Sequence, residues 1–304
     1  KWKTVHSKVQ KKKFWKVWRF PNDIWNNLFH GRRTMHERII AVNSNTYHGF
    51  GIEQAIAGIA DAGFHAIELT ATKGWTEHVF PTMSFHELCR IQDLLSDKNL
   101  SVVAMSGHCN LMDSRRVPDF VDNIKLAHFF GTQTIVSSVG EAHPKDRTNG
   151  TESSLLANIS TFLPLLETYG MRLVLETHGS AGTGAAIDKL VKDIASPLVG
   201  IAYDTANVIY YGGVKDLSDL ASCIDDVRYL HVKDKAGSPE TWNFPALGKG
   251  YVDFPGVFAL LDENNNDAPL SVEIEFTDAP RSLKTVDDAV RDSATYLKNL
   301  GYRL

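Results

Sequence analysis

Acidic and imidazole side chains stand at the ends of four apolar segments in the second half of the chain. These segments read Leu175-Glu176-Thr177-His178, Tyr203-Asp204-Thr205, Leu230-His231-Val232-Lys233-Asp234 and Val272-Glu273-Ile274-Glu275. Three carboxylates and one imidazole that meet in space form a site for a hard or borderline divalent cation. Mn²⁺, Mg²⁺ or Co²⁺ suits this oxygen-rich set, and Zn²⁺ is an alternative. The pattern predicts divalent-metal chemistry if the fold brings the four segments together.

The elements that must position these residues alternate between short apolar strands and amphipathic helices, with the rhythm of roughly thirty residues that is typical of βα units. The eight predicted strands cover residues 39–43, 66–70, 101–106, 134–138, 172–177, 199–204, 227–233 and 270–276. Eight such units with nearly continuous apolar strands predict a single (β/α)8 TIM barrel. A doubly wound sheet is the rival architecture, but no GxGxxG motif follows the first strand.

Helix ends are marked by glycine and by one proline. Gly63, Gly131 and Gly170 each follow a helical apolar pattern and are expected to be C-terminal caps. Thr285 and Asp288 have the spacing of a capping box before the last helix. Pro164 lies inside the fourth helical pattern and predicts a kink or a break there.

Chemistry in such a barrel belongs at the carboxyl ends of the strands. Because side chains alternate along a strand, Glu176 shares a face with His178, His231 with Lys233, and Glu273 with Glu275. An inward carboxylate costs several kcal/mol unless it is paired or binds a metal ion. The four strand ends are therefore expected to form one site.

These segments resemble the xylose isomerase-like TIM-barrel superfamily, which contains sugar isomerases and epimerases, inosose dehydratases and AP endonucleases. The resemblance extends over nearly the whole chain from Ile39, and it includes Ser106-Gly107-His108 after strand three and Leu247-Gly248-Lys249-Gly250 after strand seven. It implies that one divalent ion, with Mn²⁺ as the first expectation, is held by Glu176, Asp204, His231 and Glu273. Glu275 is a second candidate ligand on strand eight.

Departures from the superfamily patterns separate its branches. Asn207 stands where AP endonucleases and many ketose 3-epimerases resemble one another in placing a histidine, and Val252-Asp253 stands where the endonucleases are expected to have another ligand. Glu176-Thr177-His178-Gly179 replaces the Glu-Pro-x-Asn-Arg of epimerases that act on free ketoses. His178, Lys233 and Asp234 look closer to the dehydratase and keto-glycoside lyase branches, or to the proteins loosely called sugar phosphate isomerases.

The chemistry shared by these branches is removal of a proton next to a carbonyl, with a metal ion that stabilises the enediolate. We expect a metal-dependent sugar isomerase or epimerase. A lyase or dehydratase that acts on a keto-sugar or keto-glycoside is the alternative. Two further alternatives, an AP endonuclease and a non-catalytic sugar-binding subunit, are less favoured.

Each candidate residue has an expected role and a structural alternative. Glu176 and Glu273 are expected to be both ligands and proton shuttles, while His178 and His108 orient substrate hydroxyls or act as the base. Lys233 is expected to polarise an oxyanion. The remaining substrate-binding candidates are Asp234, Asn207, Trp75 and Glu68. The alternatives are a salt bridge between Lys233 and Asp234 at the rim, a loop anchor at Trp75, and purely structural roles for His108 and Glu68.

Composition bounds the remaining questions. The chain has 304 residues, a formal net charge of -4, 43% hydrophobic residues and three cysteines without a CxxC pair. Disorder, a disulfide framework and a thiolate zinc site are excluded, and a reducing, cytoplasmic compartment is expected. No stretch approaches the roughly 20 apolar residues of a membrane span, and no secretory signal is recognised.

Charge divides the chain into two predicted regions, an extension at residues 1–38 and the barrel at residues 39–304. The extension has eleven basic and two acidic residues, so its formal charge is +9 against −13 for the barrel, and four of the six tryptophans lie in it. A homo-oligomer or small-subunit docking arm is expected there, or residues before a native start near Met35. An acidic barrel makes nucleic acid an unsuitable partner, and a small sugar or keto-sugar is expected instead.

Overall fold

The computed structural model describes residues 38–140, 150–276 and 281–304. The eight long strands are β1 Ile40–Asn43, β2 Ala66–Thr72, β3 Ser101–Ser106, β4 Thr134–Ser137, β5 Arg172–Glu176, β6 Val199–Asp204, β7 Val227–Val232 and β8 Leu270–Val272. The helices are α1 Ile52–Asp61, α2 Phe85–Asp97, α3 Val117–Phe129, α4 Glu152–Tyr169, α5 Gly184–Ile194, α6 Asn207–Tyr210, α7 Ser218–Cys223, α8 Phe254–Glu263 and α9 Leu283–Asn299. Residues 1–37 of the predicted extension lie outside the described residues.

The eight strands form a closed parallel barrel. Each pairs in parallel with its neighbour in the chain, and β8 pairs with β1 through Ile40 and Leu270. A two-residue strand, Thr76–Glu77, adds an antiparallel pairing to the end of β2. The predicted (β/α)8 barrel is confirmed, and the doubly wound alternative is excluded because an open sheet would leave two edge strands unpaired.

Side chains of the strands alternate between the barrel interior and the helical layer. Residues of the interior form one small apolar cluster: Ala104, Val136, Val174, Ala202 and Tyr229. Their neighbours, such as Leu173 and Leu175, belong to the larger core. Glu176, Asp204 and His231 follow interior residues by two positions, so the period of two places them inside the barrel at its carboxyl end.

The glycine caps are confirmed. Gly63, Gly131 and Gly170 have φ angles of 92°, 77° and 64°, a conformation that residues with a Cβ adopt only with strain. The last helix begins earlier than predicted, because the hydroxyl of Ser282 caps it by accepting a hydrogen bond from the backbone N–H of Thr285. Thr285 is therefore inside the helix and is not its cap.

Pro164 does not break its helix, since α4 is continuous from Glu152 to Tyr169. A proline removes the hydrogen bond to the carbonyl four residues earlier, here that of Ser160. Both residues are exposed, so water can replace the missing donor. A break was the wrong expectation because the proline lies on the solvent face.

The last strand is shorter than the predicted 270–276 segment. β8 ends at Val272, and Glu275 then pairs with Phe244 in an isolated antiparallel bridge. Glu273 therefore follows the barrel strand directly, whereas the backbone of Glu275 is held by the loop after β7. Among the described residues, no helix is long and apolar enough to cross a membrane.

Candidate active site

Four of the predicted ligands lie together at the carboxyl end of the barrel. One ligand atom from each of Glu176, Asp204, His231 and Glu273 lies within 4.8 Å of the others, and all four residues are buried. Glu176 ends β5, Asp204 ends β6, His231 lies in β7 and Glu273 follows β8. We call these four residues the ligand cluster. It contains Glu273 and not the second candidate, Glu275.

His231 lies between two carboxylates. Its Nδ1 atom is 2.6 Å from Glu176 Oε1, and its Nε2 atom is 3.1 Å from both oxygens of Glu68. Burial alone would lower the pKa of His231, but the charges of Glu68 and Glu176 outweigh it and raise that pKa well above its ordinary value. Histidines that bind metal ions usually donate their second N–H to a carboxylate, which fixes the ring and its tautomer.

Glu68 is the residue behind this histidine. It is fully buried in β2, where its carboxylate also accepts hydrogen bonds from Ser106 Oγ at 2.7 Å and from the Tyr229 hydroxyl at 3.1 Å. Burial would raise its pKa, but the charge of His231 and the hydrogen bonds to this carboxylate together outweigh burial and lower the pKa. Glu68 does not line the pocket described below. The structure makes Glu68 a partner of His231, and its predicted contact with a substrate stays a prediction.

Asp204 presents one carboxylate oxygen to the cluster. Oδ1 accepts hydrogen bonds from the backbone N–H groups of Ala206 and Asn207, each at 2.8 Å. Oδ2 has no hydrogen-bond partner among the described residues. Burial raises the pKa of Asp204 to about 7. A buried carboxylate oxygen without a hydrogen bond is costly, and a divalent ion at this position would remove that cost. The residues present therefore fit a metal ion.

Glu273 is held by two amides from the turn after β1. The Nδ2 atoms of Asn43 and Asn45 lie 3.2 and 3.0 Å from Glu273 Oε1, whereas Oε2 lies 3.2 Å from Lys233 Nζ. Burial would raise the pKa of Glu273, but the charges of Lys233 and His231 outweigh it and lower the pKa to about 2. Glu273 is therefore held as a carboxylate.

Lys233 is buried and lies among acids. Its ammonium bonds to Glu273 and Glu275, and it is 3.7 Å from Asp204 Oδ2 and 4.6 Å from the ring centroid of Phe244. Burial raises the pKa of Glu275 to about 7. The alternative of a rim salt bridge between Lys233 and Asp234 is excluded, because the two side chains have different partners.

Asp234 organises the loop after β7. Its Oδ2 accepts hydrogen bonds from the backbone N–H groups of Gly248 at 2.9 Å and Gly250 at 2.7 Å, and Oδ1 accepts from Val252 at 3.2 Å. A Cβ atom on Gly250 would lie 2.3 Å from Asp234 Oδ1. Asp234 is buried and does not line the pocket. The structure shows Asp234 supporting this loop, and its predicted contact with a substrate stays a prediction.

His108 and His178 lie on the pocket side of the cluster. The Nδ1 atom of His108 accepts the backbone N–H of Ser138 at 3.0 Å, which leaves Nε2 as its N–H donor. Burial lowers the pKa of His108 to about 4, so this imidazole is neutral. Its Nδ1 atom is 3.9 Å from Glu176 Oε2. These contacts favour orientation of substrate oxygens over proton abstraction as the role of His108.

A pocket that is open to solvent covers the cluster. Its lining residues are Asn45, Thr70, Thr72, Trp75, Ser106, His108, Glu176, His178, Asn207, Lys233, Glu273 and Glu275. Asn207 is buried, and its Oδ1 atom has no hydrogen-bond partner among the described residues. Asn207, Trp75, His178 and Lys233 line this pocket, and their contacts with a substrate stay a prediction.

Trp75 has features of both a lid and an anchor. Its indole N–H donates to Asn45 Oδ1 at 3.1 Å, and its ring stacks on His48 at 4.2 Å. The residue is nevertheless 36% exposed and lines the pocket. Asn45 thus contacts both Trp75 and Glu273, because its Oδ1 accepts from the indole and its Nδ2 lies 3.0 Å from Glu273 Oε1.

Comparison with known proteins places this fold and site in a family. A family model described as a xylose isomerase-like TIM barrel matches residues 56–300. The chain belongs to this family. An inosose dehydratase from Clostridium beijerinckii is 30% identical over an alignment of 145 positions, which covers 42% of this chain and 48% of the dehydratase. An inosose dehydratase from Clostridium botulinum is 26% identical over an alignment of 192 positions, which covers 52% of this chain and 62% of the relative.

The chain spans about half the length of the first of these curated relatives. Solved structures match over more of the fold. D-allulose 3-epimerase from Methylomonas sp. has a TM-score of 0.68 at 18% identity, covering 88% of this chain and 98% of the epimerase. A xylose isomerase domain protein from Planctomyces limnophilus has a TM-score of 0.67 at 18% identity, covering 87% of this chain and 96% of that protein. These similarities confirm the barrel.

Apart from Asn207 and Trp75, sequence reasoning assigned no role to the uncharged residues of the pocket. The pocket is lined by Asn45, Thr70, Thr72 and Ser106. Asn43 lies next to it, with its Nδ2 atom 3.2 Å from Glu273 Oε1. Asn43 and Asn45 stand in a turn directly after β1, where two amides at the mouth of a barrel were a usable signal. The only signal taken from this turn was that it lacks the glycine spacing of a dinucleotide site.

Proposed function

We propose that this protein is a divalent-metal-dependent enzyme that removes a proton next to the carbonyl of a small keto-sugar, and that it returns the proton as an isomerase or epimerase. Glu176, Asp204, His231 and Glu273 would hold the ion. The ion would stabilise the negative charge that develops on the substrate oxygens as the proton leaves. The family and its sugar-processing relatives support an enzyme of this class.

One observation carries the proposal: Glu176 and Glu273 belong to both the ligand cluster and the pocket lining, whereas Asp204 and His231 belong only to the cluster. Burial raises the pKa of Glu176, and neighbouring charges lower that of Glu273. Two titratable groups whose pKa values are moved apart are suited to acid and base roles. In our proposal Glu273 accepts the carbon-bound proton, and Glu176 delivers a proton to the new position.

The other pocket residues would hold the substrate. The Nε2 N–H of His108 donates to a substrate oxygen, and the unpartnered Oδ1 of Asn207 accepts from a hydroxyl. Lys233 places a positive charge near the oxygen that becomes negative. His178 contacts a further hydroxyl. The identity of each contact is part of the proposal.

Dehydration is the second candidate function. Lys233 and the carboxyl of Glu275, whose pKa burial raises to about 7, lie in the same pocket. In this reaction the proton next to the carbonyl moves to Glu273, and the hydroxyl on the following carbon leaves as water after receiving a proton from Glu275. The similarity to inosose dehydratases favours this candidate.

Proton exchange with solvent tests both candidates. The Mn²⁺-loaded protein is incubated in D2O with free and phosphorylated ketoses and with inososes, the Mn²⁺ is removed with a chelator, and the products are analysed by ¹H NMR and mass spectrometry. Isomerisation or epimerisation yields an isomer, deuterated at the carbon that receives a solvent proton, and dehydration yields a product lighter by one water. Glu176→Gln should lose the exchange, and Glu167→Gln, at an exposed position of α4, should retain it. No exchange with any substrate in a metal-loaded protein would contradict the proposal.

A further inference from the structure

The loops after β5 and after α6 approach each other closely, and each has glycine at the crossing. A Cβ atom on Gly182 would lie 2.6 Å from the Cβ atom of Tyr211, and one on Gly212 would lie 2.4 Å from the carbonyl oxygen of Gly182. Real Cβ atoms do not approach other atoms this closely, so both positions need glycine. The close approach brings Tyr211 against the loop that contains His178.

Tyr211 contacts His178 in two ways. The ring centroids are 4.6 Å apart with an interplanar angle of 45°, and the phenol oxygen is 3.3 Å from His178 Nε2. Burial raises the pKa of Tyr211, so the phenol is neutral at physiological pH. His178 lines the pocket, and Tyr211 does not. The phenol is therefore a neighbour of a pocket residue and is not itself in contact with the pocket.

We propose that Tyr211 is a positioning residue that holds the imidazole of His178 in the orientation required by the substrate. This inference rests on the proposed function, in which His178 contacts the substrate. An imidazole can rotate about two side-chain bonds, and a hydrogen bond to one nitrogen together with ring packing selects one orientation. Misorientation of a catalytic-site group lowers the rate even when the substrate still binds.

The adjacent residue, Tyr210, provides a matched control. Its ring packs edge-to-face on Tyr211, Trp242 and Phe244 at centroid distances of 4.7, 5.4 and 5.8 Å. Tyr210→Phe and Tyr211→Phe each remove one hydroxyl and keep the ring. If Tyr211 acts only by filling space, the two variants should behave alike.

The kinetic test uses the substrate found in the exchange assay. Tyr211→Phe should lower kcat about tenfold, equivalent to about 1.4 kcal/mol, with KM changed by less than about twofold. Tyr210→Phe should leave both constants unchanged. In a His178→Ala background, Tyr211→Phe should have no further effect, because residues that act through one another are not additive. An equal loss in both backgrounds, or an unchanged kcat, would overturn the proposal.

A spectroscopic test needs no activity, so it separates failure of this inference from failure of the proposed function. In ¹⁵N-histidine-labelled, Mg²⁺-loaded protein, the ring nitrogens of His178 are identified by their loss in His178→Gln. Tyr211→Phe should shift the Nε2 resonance, and Tyr210→Phe should leave it in place. Identical His178 spectra in wild type and Tyr211→Phe would overturn the positioning role. A clear shift of the His178 resonance in a protein that shows no proton exchange would support the contact between Tyr211 and His178 and would contradict the proposed enzymatic function.

Discussion

The two sides of the barrel mouth differ in chemistry. The ionic half, formed by the carboxyl ends of β5 to β8 and the residues that follow them, contributes Glu176, Asp204, His231, Lys233, Glu273 and Glu275. The neutral half, formed by the carboxyl ends of β1 to β3 and the residues that follow them, contributes Asn43, Asn45, Thr70, Thr72, Ser106 and the indole of Trp75. The two halves meet at Glu273, where two amides of the neutral half contact Oε1 and Lys233 of the ionic half contacts Oε2.

This difference indicates a division of labour. A carboxylate that is oriented by charged donors loses part of its attraction for a metal ion, because those charges neutralise it. Amide and hydroxyl donors orient the same carboxylate with less electrostatic competition. In the proposed function, the ionic half would supply ligands and proton carriers, and the amides of the neutral half would set the position of Glu273. Glu68 is an exception, since it is an acid on β2 that supports His231 from the neutral side.

The largest expected effect comes from Glu273→Gln, which changes the residue shared by both halves. We expect solvent proton exchange to fall about a thousandfold, within the range of an acid–base group, because the amide cannot accept the carbon-bound proton. The rate of deuterium incorporation by NMR measures it. Glu263→Gln, at the exposed end of α8, is the control. An active Glu273→Gln enzyme would show that the proton shuttle lies elsewhere.

A smaller effect is expected from Glu68→Gln. The affinity for Mn²⁺ should fall about 10- to 100-fold, as is usual when the partner of a ligating histidine is changed, because His231 Nε2 loses its carboxylate. Competition with a metal-binding dye measures the affinity. Glu77→Gln, at the exposed end of the two-residue strand that pairs with β2, should bind Mn²⁺ like the wild type. Unchanged affinity in Glu68→Gln would mean that His231 is not a ligand.

The ionic half was largely predictable from the sequence. A charged residue at the end of a buried strand is rare enough to be a signal, and the period of two assigns its face. The depth of each side chain below the barrel mouth was not predictable in the same way. Glu68 and Asp234 are acids near the site, yet Glu68 lies below the cluster beside Tyr229, and Asp234 binds the backbone of its own loop. Depth depends on the stagger between neighbouring strands, which no single strand encodes.

Apart from Trp75, the neutral half gave only a weak signal by residue type. Asparagine, serine and threonine are common after strands, where they usually bond to nearby backbone. Asn43 and Asn45 differ from such residues only through their contacts with Glu273, 230 and 228 positions away in the chain. Tyr211 is recognised only when the two glycine-containing loops are placed together. Contacts of this kind arise from closure of the barrel.

Asn45→Ala tests whether the neutral half acts on the ligands. We expect the affinity for Mn²⁺ to fall about fivefold, the loss of one hydrogen bond worth about 1 kcal/mol, since Asn43 still contacts the same oxygen of Glu273. The dye competition assay measures this, with Asn264→Ala at the exposed end of α8 as control. A loss as large as that of Glu68→Gln would contradict the division, because the amides would then matter as much as the charged partner.

The smallest effect is expected at Trp75, where the lid and the anchor make different predictions. Trp75→Phe removes the indole N–H that donates to Asn45 but keeps an aromatic ring that can stack on His48 and on a sugar, so KM should rise only about twofold. Trp75→Ala should raise KM further, while the melting temperature of both variants stays near that of the wild type. If Trp75→Ala instead lowers the melting temperature and leaves KM unchanged, the tryptophan is an anchor for its loop. The neutral half would then serve only to orient Glu273, and the side chains that contact the substrate would belong to the ionic half.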